Sequence, residues 1–213
     1  TKPKNKSKQI LKNPFKQLFK VFKEEKIRKL SLAFFIYFIA FTGLTNILIF
    51  FLQESLNWTT KASSGTLVVV GIIAIIVQGL LIGPLVKIFG EMKLTLIGTG
   101  FILLACILLI TTPGENAAIN IYSAVSFLAI GAGLITPTLR ALISKKLNDD
   151  NQGSILSNLQ GLQSLGGVLG IGMAGRVYDD FGPKAPFIAG AIILLFMIYL
   201  IAEGKNNQIS YGE

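Results

Sequence analysis

Three glycines near the C-terminal end, Gly170, Gly172 and Gly175, have the G-x-G-x-x-G spacing of loops that bind the pyrophosphate of a dinucleotide. That chemistry requires a buried strand before the glycines and an acidic residue roughly 20 positions after them. The preceding stretch, NQGSILSNLQGLQSLGGVL, has no strand-like alternation and predicts one continuous helix, and Asp179 and Asp180 follow too soon. The sequence therefore predicts that the glycines form a helix-packing surface and bind no nucleotide.

The residues needed for metal or nucleophile chemistry are scarce. The chain has no histidine and a single cysteine, Cys106, which lies within an apolar run. This composition excludes a Cys/His nucleophile pair and argues against a zinc site. The ATP-binding pattern G-x-x-x-x-G-K-[ST] does not occur either. We therefore predict that the chain is not an enzyme and holds no cofactor or metal.

The composition is that of a membrane protein. Of the 213 residues, 52% are hydrophobic and only 15% are charged, and the mean hydropathy is +0.63. A helical run of about 20 apolar residues crosses the hydrocarbon layer of a bilayer. Six such runs predict an all-α membrane protein with six transmembrane helices in one bundle. The predicted spans are 30–52, 64–85, 94–111, 117–144, 153–177 and 186–202.

The basic residues assign an orientation to these spans. With six spans, both termini and the loops 86–93 and 140–152 share one side, which then holds 17 of the 20 lysines and arginines. Basic residues favour the cytoplasmic side, so both termini are predicted to be cytoplasmic in a multi-pass protein of the plasma (inner) membrane. Because the basic residues adjoin apolar runs, the expected partner is the lipid bilayer and not nucleic acid.

The chain divides into three predicted parts. Residues 1–29 are a basic cytoplasmic linker, residues 30–202 the transmembrane bundle, and residues 203–213 a cytoplasmic tail. In the linker, apolar residues at i, i+3, i+4 and i+7 from Phe15, set between lysines, predict a basic amphipathic helix over 13–29 at the membrane interface. A calmodulin-binding helix is the alternative for that segment.

Polar side chains are concentrated in four of the six spans. Such a group is costly in lipid, so it is expected to face protein or a watery cavity. The amides of Asn46, Gln78, Asn158 and Gln163 either line a cavity or bond between helices, whereas Arg140 fits an interfacial anchor better than a ligand. No Asp or Glu lies in any predicted span, so the chain has no evident site for a translocated proton.

Two further features concern helix packing. Pro137 is expected to bend or break the fourth span, because its ring removes a helical hydrogen bond. Gly166 and Gly170 form a G-x-x-x-G pair in the fifth span, which suits close packing of helices in lipid.

Three stretches carry a family resemblance. The loop GPLVKIFGEMK between the second and third spans is similar to the pattern G-x-L-x-D-R-x-G-R-R/K: Gly83, Leu85 and Gly90 match, Lys87 replaces the acid, and Glu91 replaces the first basic residue. GAGLITPTLRALISKKL and QGSILSNLQGLQSLGGVLGIGMAGRVYDDFGPKAPF resemble a tenth and an eleventh helix. Together these stretches resemble the C-terminal half of drug- and sugar-efflux members of the major facilitator superfamily.

The resemblance implies one six-helix half of a secondary transporter that moves a small molecule by alternating access, as an efflux carrier with proton coupling left open. Its implied partners are the small-molecule substrate and the missing N-terminal six-helix half, in the same polypeptide or as a second copy. The residues that would line the substrate cavity are Phe38, Thr42, Asn46, Gln78, Thr136, Ser157 and Asn158.

The alternative is a stand-alone six-helix protein that homodimerises into a transporter or pore. The lysine-rich start argues against it, because that segment is similar to the linker between the two halves of a longer transporter. The loops 86–93 and 145–152 are too short for the coupling helices expected of the membrane domain of an ATP-driven transporter.

Overall fold

A computed structural model describes residues 19–112, 117–146 and 149–209 of the chain. Within these ranges the regular secondary structure is entirely helical and contains no strand, which confirms the all-α prediction. A helix satisfies its backbone N–H and C=O groups within the segment, as an apolar chain in lipid requires.

Six α-helices follow one another in the described ranges. They are α1 (Glu25–Leu56), α2 (Thr60–Ile76), α3 (Ile82–Thr111), α4 (Ala117–Ser144), α5 (Asp149–Phe181) and α6 (Ala185–Ile209). A π-helical segment, Val77–Leu81, joins α2 directly to α3. Gln78 lies within this segment, which is wider than an α-helix.

Gly90 interrupts α3 between the predicted second and third spans. Its φ of 75° and ψ of 160° are non-helical and belong to a region that residues with a side chain rarely adopt. The helix therefore kinks at Gly90, and the loop motif from Gly83 to Lys93 surrounds this kink.

Four stretches of the described chain are long and apolar enough to cross a membrane. They are Glu25–Leu56, Thr60–Thr111, Ala117–Ser144 and Ala185–Glu203. Thr60–Thr111 is 52 residues long and counts as one stretch, although it contains the kink. α5 is not among the four, because its Ser, Asn, Gln and Gly residues lower its hydropathy. The six-span topology with cytoplasmic termini therefore stays a prediction.

The turn between α1 and α2 is specified by local signals. Asn57 ends α1 in the left-handed conformation (φ 53°), and its N–H bonds back to the carbonyl of Leu52. Thr59 is extended and caps α2, because its Oγ1 accepts a hydrogen bond of 3.3 Å from the N–H of Ala62.

The amphipathic helix predicted over 13–29 lies partly outside the described residues, as does the end of the predicted tail. The part that is described differs from a continuous helix: Phe19–Phe22 forms a 3-10 turn, and α1 begins only at Glu25. Val21 is buried in the core, and the rings of Phe22 and Phe35 lie edge to face at 6.3 Å. The segment therefore folds back onto the bundle before α1 begins.

α1 and α4 lie at the centre of the bundle. α1 packs mainly on α5 and α6, and α4 packs mainly on α3 and α2. α3 and α6 contact each other, whereas α4 and α5 meet only over a short stretch. Large side chains of α1 fill the core, among them Phe34, Tyr37 and Phe51, whose ring meets Phe187 of α6 at 5.2 Å.

Glycines let two pairs of helices approach closely. A β-carbon at Gly166 would lie 3.1 Å from the carbonyl oxygen of Phe35, and one at Gly170 would collide with the backbone of Ile39. Gly98 of α3 and Gly131 of α4 face each other in the same way. α4 continues through Pro137, so this proline does not break the helix, and the predicted bend stays a prediction.

Candidate functional site

A polar cluster lies where α1, α4 and α5 meet, and Arg140 is at its centre. Arg140 sits on α4 one turn before the helix ends. Its Nη2 donates hydrogen bonds to Oε1 of Gln160, at 3.2 Å, and to Oε1 of Gln163, both on α5. The guanidinium carbon lies 5.9 Å from the ring centroid of Phe34 on α1, within the range of a cation–π contact. One arginine thus joins three helices.

A second polar contact lies one helical turn before Arg140 on α4. The hydroxyls of Tyr37 and Thr136 are 3.3 Å apart, and either one can be the donor. Tyr37 is fully buried between the rings of Phe38 and Phe41, at 4.9 and 5.6 Å. Because Thr136 and Arg140 are four residues apart, they share one face of α4. The two contacts therefore form one polar strip between α1, α4 and α5.

Two of the three predicted cavity residues of α1 lie at its contact with α5. Phe38 is buried and packs against Gly166, and Thr42 lies half-buried beside Gly167. Asn46 is exposed, and its Nδ2 donates a hydrogen bond of 2.9 Å to the Thr42 carbonyl in its own helix. Two of these side chains thus pack at a helix interface, and only Asn46 has a largely free surface.

The structure separates the other predicted cavity residues. Thr136 belongs to the polar strip. Gln78 is exposed in the π-helical segment, next to Gly133 of α4, while Ser157 is exposed and Asn158 is 8% exposed on α5. Among the described residues, no hydrogen bond joins Gln78, Ser157 or Asn158 to the strip.

The sequence interpretation missed part of the strip. Tyr37 stands among apolar aromatic residues, and nothing in its spacing distinguishes it. Sequence patterns do not single out Gln160 either, they leave Gln163 open between a cavity and a bond between helices, and they favour an interfacial anchor for Arg140. The signal was the pairing of Thr136 with Arg140 at i, i+4 and of Gln160 with Gln163 at i, i+3, which places each pair on one helix face.

The loop motif has its own charged contact. Glu91, which follows the kink at Gly90 and lies between two predicted spans, forms an ion pair with Lys145 at the end of α4. The hydrogen bond from the Lys145 ammonium holds the pKa of the Glu91 carboxyl below its usual value. One turn further on, the hydroxyls of Thr95 and Thr138 are 2.8 Å apart. The acid at position 91 thus holds the kink against α4, whereas Gly83 and Lys87 are exposed.

We predict a small effect for Glu91→Gln. Because Lys145 is 67% exposed, losing the pair should lower the free energy of unfolding by less than about 1 kcal/mol. The pKa of Glu91 is lowered by folding, so its contribution is present above the unfolded pKa of about 4.3 and is lost as the pH falls through the folded value. Thermal unfolding of the purified protein at neutral and acidic pH measures both.

The matched comparison for this pair is a double-mutant cycle. Lys145→Gln should match Glu91→Gln, and the double variant should cost little more than either one. Lys87→Gln, an exposed lysine of the same loop, should leave the unfolding midpoint unchanged. Additive losses from Glu91→Gln and Lys145→Gln would contradict the pairing.

Metal ligands are not clustered in the described part of the chain. No group of three or more His, Cys, Asp or Glu side chains there is arranged to hold an ion. Cys106, in α3, is buried and unpaired.

Comparison with known proteins places the chain in a family. A family model described as Major Facilitator Superfamily matches residues 1–171. "Hippocampus abundant transcript-like protein 1" of Rattus norvegicus is 24% identical over 93% of this chain and 45% of its own length. "Tetracycline resistance protein, class C" of Escherichia coli is 28% identical over 75% of this chain and 40% of its own length. The chain thus spans less than half the length of these relatives.

Proposed function

Because the chain belongs to the Major Facilitator Superfamily, whose members transport small molecules across membranes and are generally not enzymes, we propose that it is the C-terminal half of a transporter that works by alternating access. The proposal includes the six predicted spans, both termini in the cytoplasm and a location in the plasma membrane. The missing half would be a second six-helix bundle.

The observation that carries the proposal is the polar strip of Arg140, Gln160, Gln163, Tyr37 and Thr136, which joins three helices of a mostly apolar bundle. Charged and amide side chains are costly in a membrane helix unless they serve a substrate pathway or a polar contact between helices. Here they come from three helices, and two of them, α4 and α5, meet only over a short stretch. That position is suited to one wall of a substrate site at the boundary with the other half.

Export is the proposed direction of transport. It is favoured by the tetracycline resistance proteins among the relatives, since a membrane transporter can confer resistance to a drug by moving the drug out of the cell. If protons drive this export, the titrating carboxylates belong to the other half, because no Asp or Glu lies in the predicted spans of this chain.

Alternating access predicts that Thr136 is reached by water from each side of the membrane in turn. We expect a Thr136→Cys variant of the native protein, in oriented membrane vesicles, to react with a membrane-impermeant maleimide added to either side. The native Cys106 is buried, so labelling of the unsubstituted protein measures the background reaction. The control is Ile107→Cys. Ile107 is 54% exposed on the apolar part of α3, and we propose that this surface faces lipid, so the variant should react from neither side.

Labelling of Thr136→Cys from one side only, or from neither, would contradict alternating access.

The mass of the native polypeptide decides whether the second six-helix bundle belongs to the same chain or to a second copy. A polypeptide of about twice 23.0 kDa supports the half-transporter, whereas a native chain of 23.0 kDa supports the homodimer.

A further inference from the structure

The guanidinium of Arg140 has no charged partner in the described part of the chain. The three ion pairs there join Lys29 to Glu203, Lys145 to Glu91, and Arg176 to Asp180. Arginine stays protonated at every physiological pH, and Arg140 is partly buried. A partly buried charge without a counter-charge loses some of its hydration, and here only the ring of Phe34 and two neutral amides replace that hydration.

Most hydrogen-bond donors of this guanidinium are unused. Nη2 makes the bonds to Gln160 and Gln163, while Nε is buried and has no partner. Nη1 donates to no described residue. An arginine carries five N–H donors, so three of the five have no acceptor among the described residues.

The two glutamines add further donors. Because arginine can only donate, the bonded atom of each amide must be its oxygen, which leaves the NH₂ groups of Gln160 and Gln163 directed elsewhere. No described acceptor takes a hydrogen bond from either NH₂ group. The hydrogen-bonding groups that remain unused on the three side chains are therefore mainly N–H donors, and the guanidinium adds one positive charge. Such a set selects a group that only accepts and is negative, such as an ionised carboxylate or a phosphate.

We propose that Arg140, Gln160 and Gln163 bind a carboxylate or phosphate group of a ligand. If that group belongs to the transported molecule, the substrate is a small organic anion, and this reading rests on the proposed function. A phospholipid headgroup offers the same oxygens, since Arg140 lies one turn from the end of α4. The experiment below has one arm for each source.

The test is the thermal stability of the native protein in nanodiscs. In pure phosphatidylcholine, benzoate or phenyl phosphate should raise the unfolding midpoint, whereas the neutral benzamide should not. For the lipid arm, phosphatidylglycerol replaces part of the phosphatidylcholine. Arg140→Gln should weaken the anion response at least about tenfold in ligand concentration, as expected for loss of charge-assisted hydrogen bonds. Arg176→Gln is the matched control, because Arg176 is an 80% exposed arginine outside the cluster.

A second variant guards against misfolding of Arg140→Gln. Gln163→Glu places a carboxylate where an amide oxygen now accepts from Arg140, so the protein would supply its own counter-ion. We expect a higher midpoint without ligand and no response to added anions.

The outcomes separate as follows. A response to benzoate or phenyl phosphate that Arg140→Gln removes supports a soluble anion, and a response to phosphatidylglycerol alone that Arg140→Gln removes supports a headgroup. No response in either arm, or one that both Arg140→Gln and Gln163→Glu retain, overturns the proposal. If Thr136→Cys is nevertheless labelled from both sides, alternating access stands while anion recognition fails.

Discussion

Gly170→Ala should destabilise the protein by about 2 kcal/mol, although alanine is the better helix former. A β-carbon at Gly170 meets the carbonyl oxygen, the carbonyl carbon and the Cα of Ile39 on α1. Backbone atoms cannot rotate away as a side chain can, so α1 and α5 would have to separate. Overpacking of this kind costs about 1–3 kcal/mol, which exceeds the gain of up to about 1 kcal/mol in helix propensity. The midpoint of thermal unfolding in detergent measures the difference.

The control for Gly170→Ala lies two residues away on the same helix. Nothing approaches within 4 Å of a β-carbon at Gly172, so Gly172→Ala should leave the midpoint unchanged or raise it. The two substitutions are chemically identical, but only Gly170→Ala should lower the midpoint. Equal midpoints for Gly170→Ala and Gly172→Ala would show that α1 and α5 are not in close contact at this point.

The same contact positions the polar strip. Gln163, Gly166 and Gly170 are spaced i, i+3 and i+7, so they share the face of α5 that meets α1. Gly166 and Gly170 set the distance between this face and α1. Gln163, one turn before Gly166, accepts a hydrogen bond from Arg140 of α4. Small residues in α5 and the donor cluster are therefore parts of one arrangement.

Helix positions and family could be predicted from the sequence because they depend on local and pairwise signals. The apolar run 117–144 coincides with α4, and the apolar run 30–52 lies inside α1. The resemblance to the major facilitator superfamily, inferred from the loop around Gly90 and two helix-like stretches, is confirmed by the family match. Composition and motif spacing carry that information without knowledge of the fold.

The composition of the polar strip could not be predicted in the same way. Helical periodicity states which residues share a face, but it does not state which neighbouring helix covers that face. The sequence therefore left Gln163 open between a cavity and a bond between helices, and only the fold identifies its partner as Arg140 of α4. Tyr37 is polar only at its tip, and only the position of Thr136 on another helix shows that the hydroxyl has a partner.

Gly131→Ala should have the other large effect, a loss of about 2 kcal/mol at the contact between α3 and α4. A β-carbon at Gly131 would lie 2.5 Å from both Gly98 O and Ile102 Cγ1, and one at Gly98 would lie 2.9 Å from Gly131 O. The approach is thus backbone to backbone in both directions, and a methyl group on either side forces the helices apart. Thermal unfolding of Gly131→Ala against Gly100→Ala tests this, since nothing lies within 4 Å of a β-carbon at Gly100.

Once the two helices have separated, a second methyl group meets less resistance, so the double variant Gly98→Ala/Gly131→Ala should lose less than the sum of the single losses. Additive losses would mean that the two glycines do not share one contact.

The contact between α3 and α4 also bears on the polar strip. Thr136 and Arg140, four residues apart, lie on one face of α4, and a hydrogen bond of 2.8 Å between the hydroxyls of Thr95 and Thr138 joins α4 to α3. A shift of α4 away from α3 therefore moves the guanidinium relative to the glutamines of α5. Gly131→Ala should consequently weaken the anion response of Arg140 without changing any residue of the cluster.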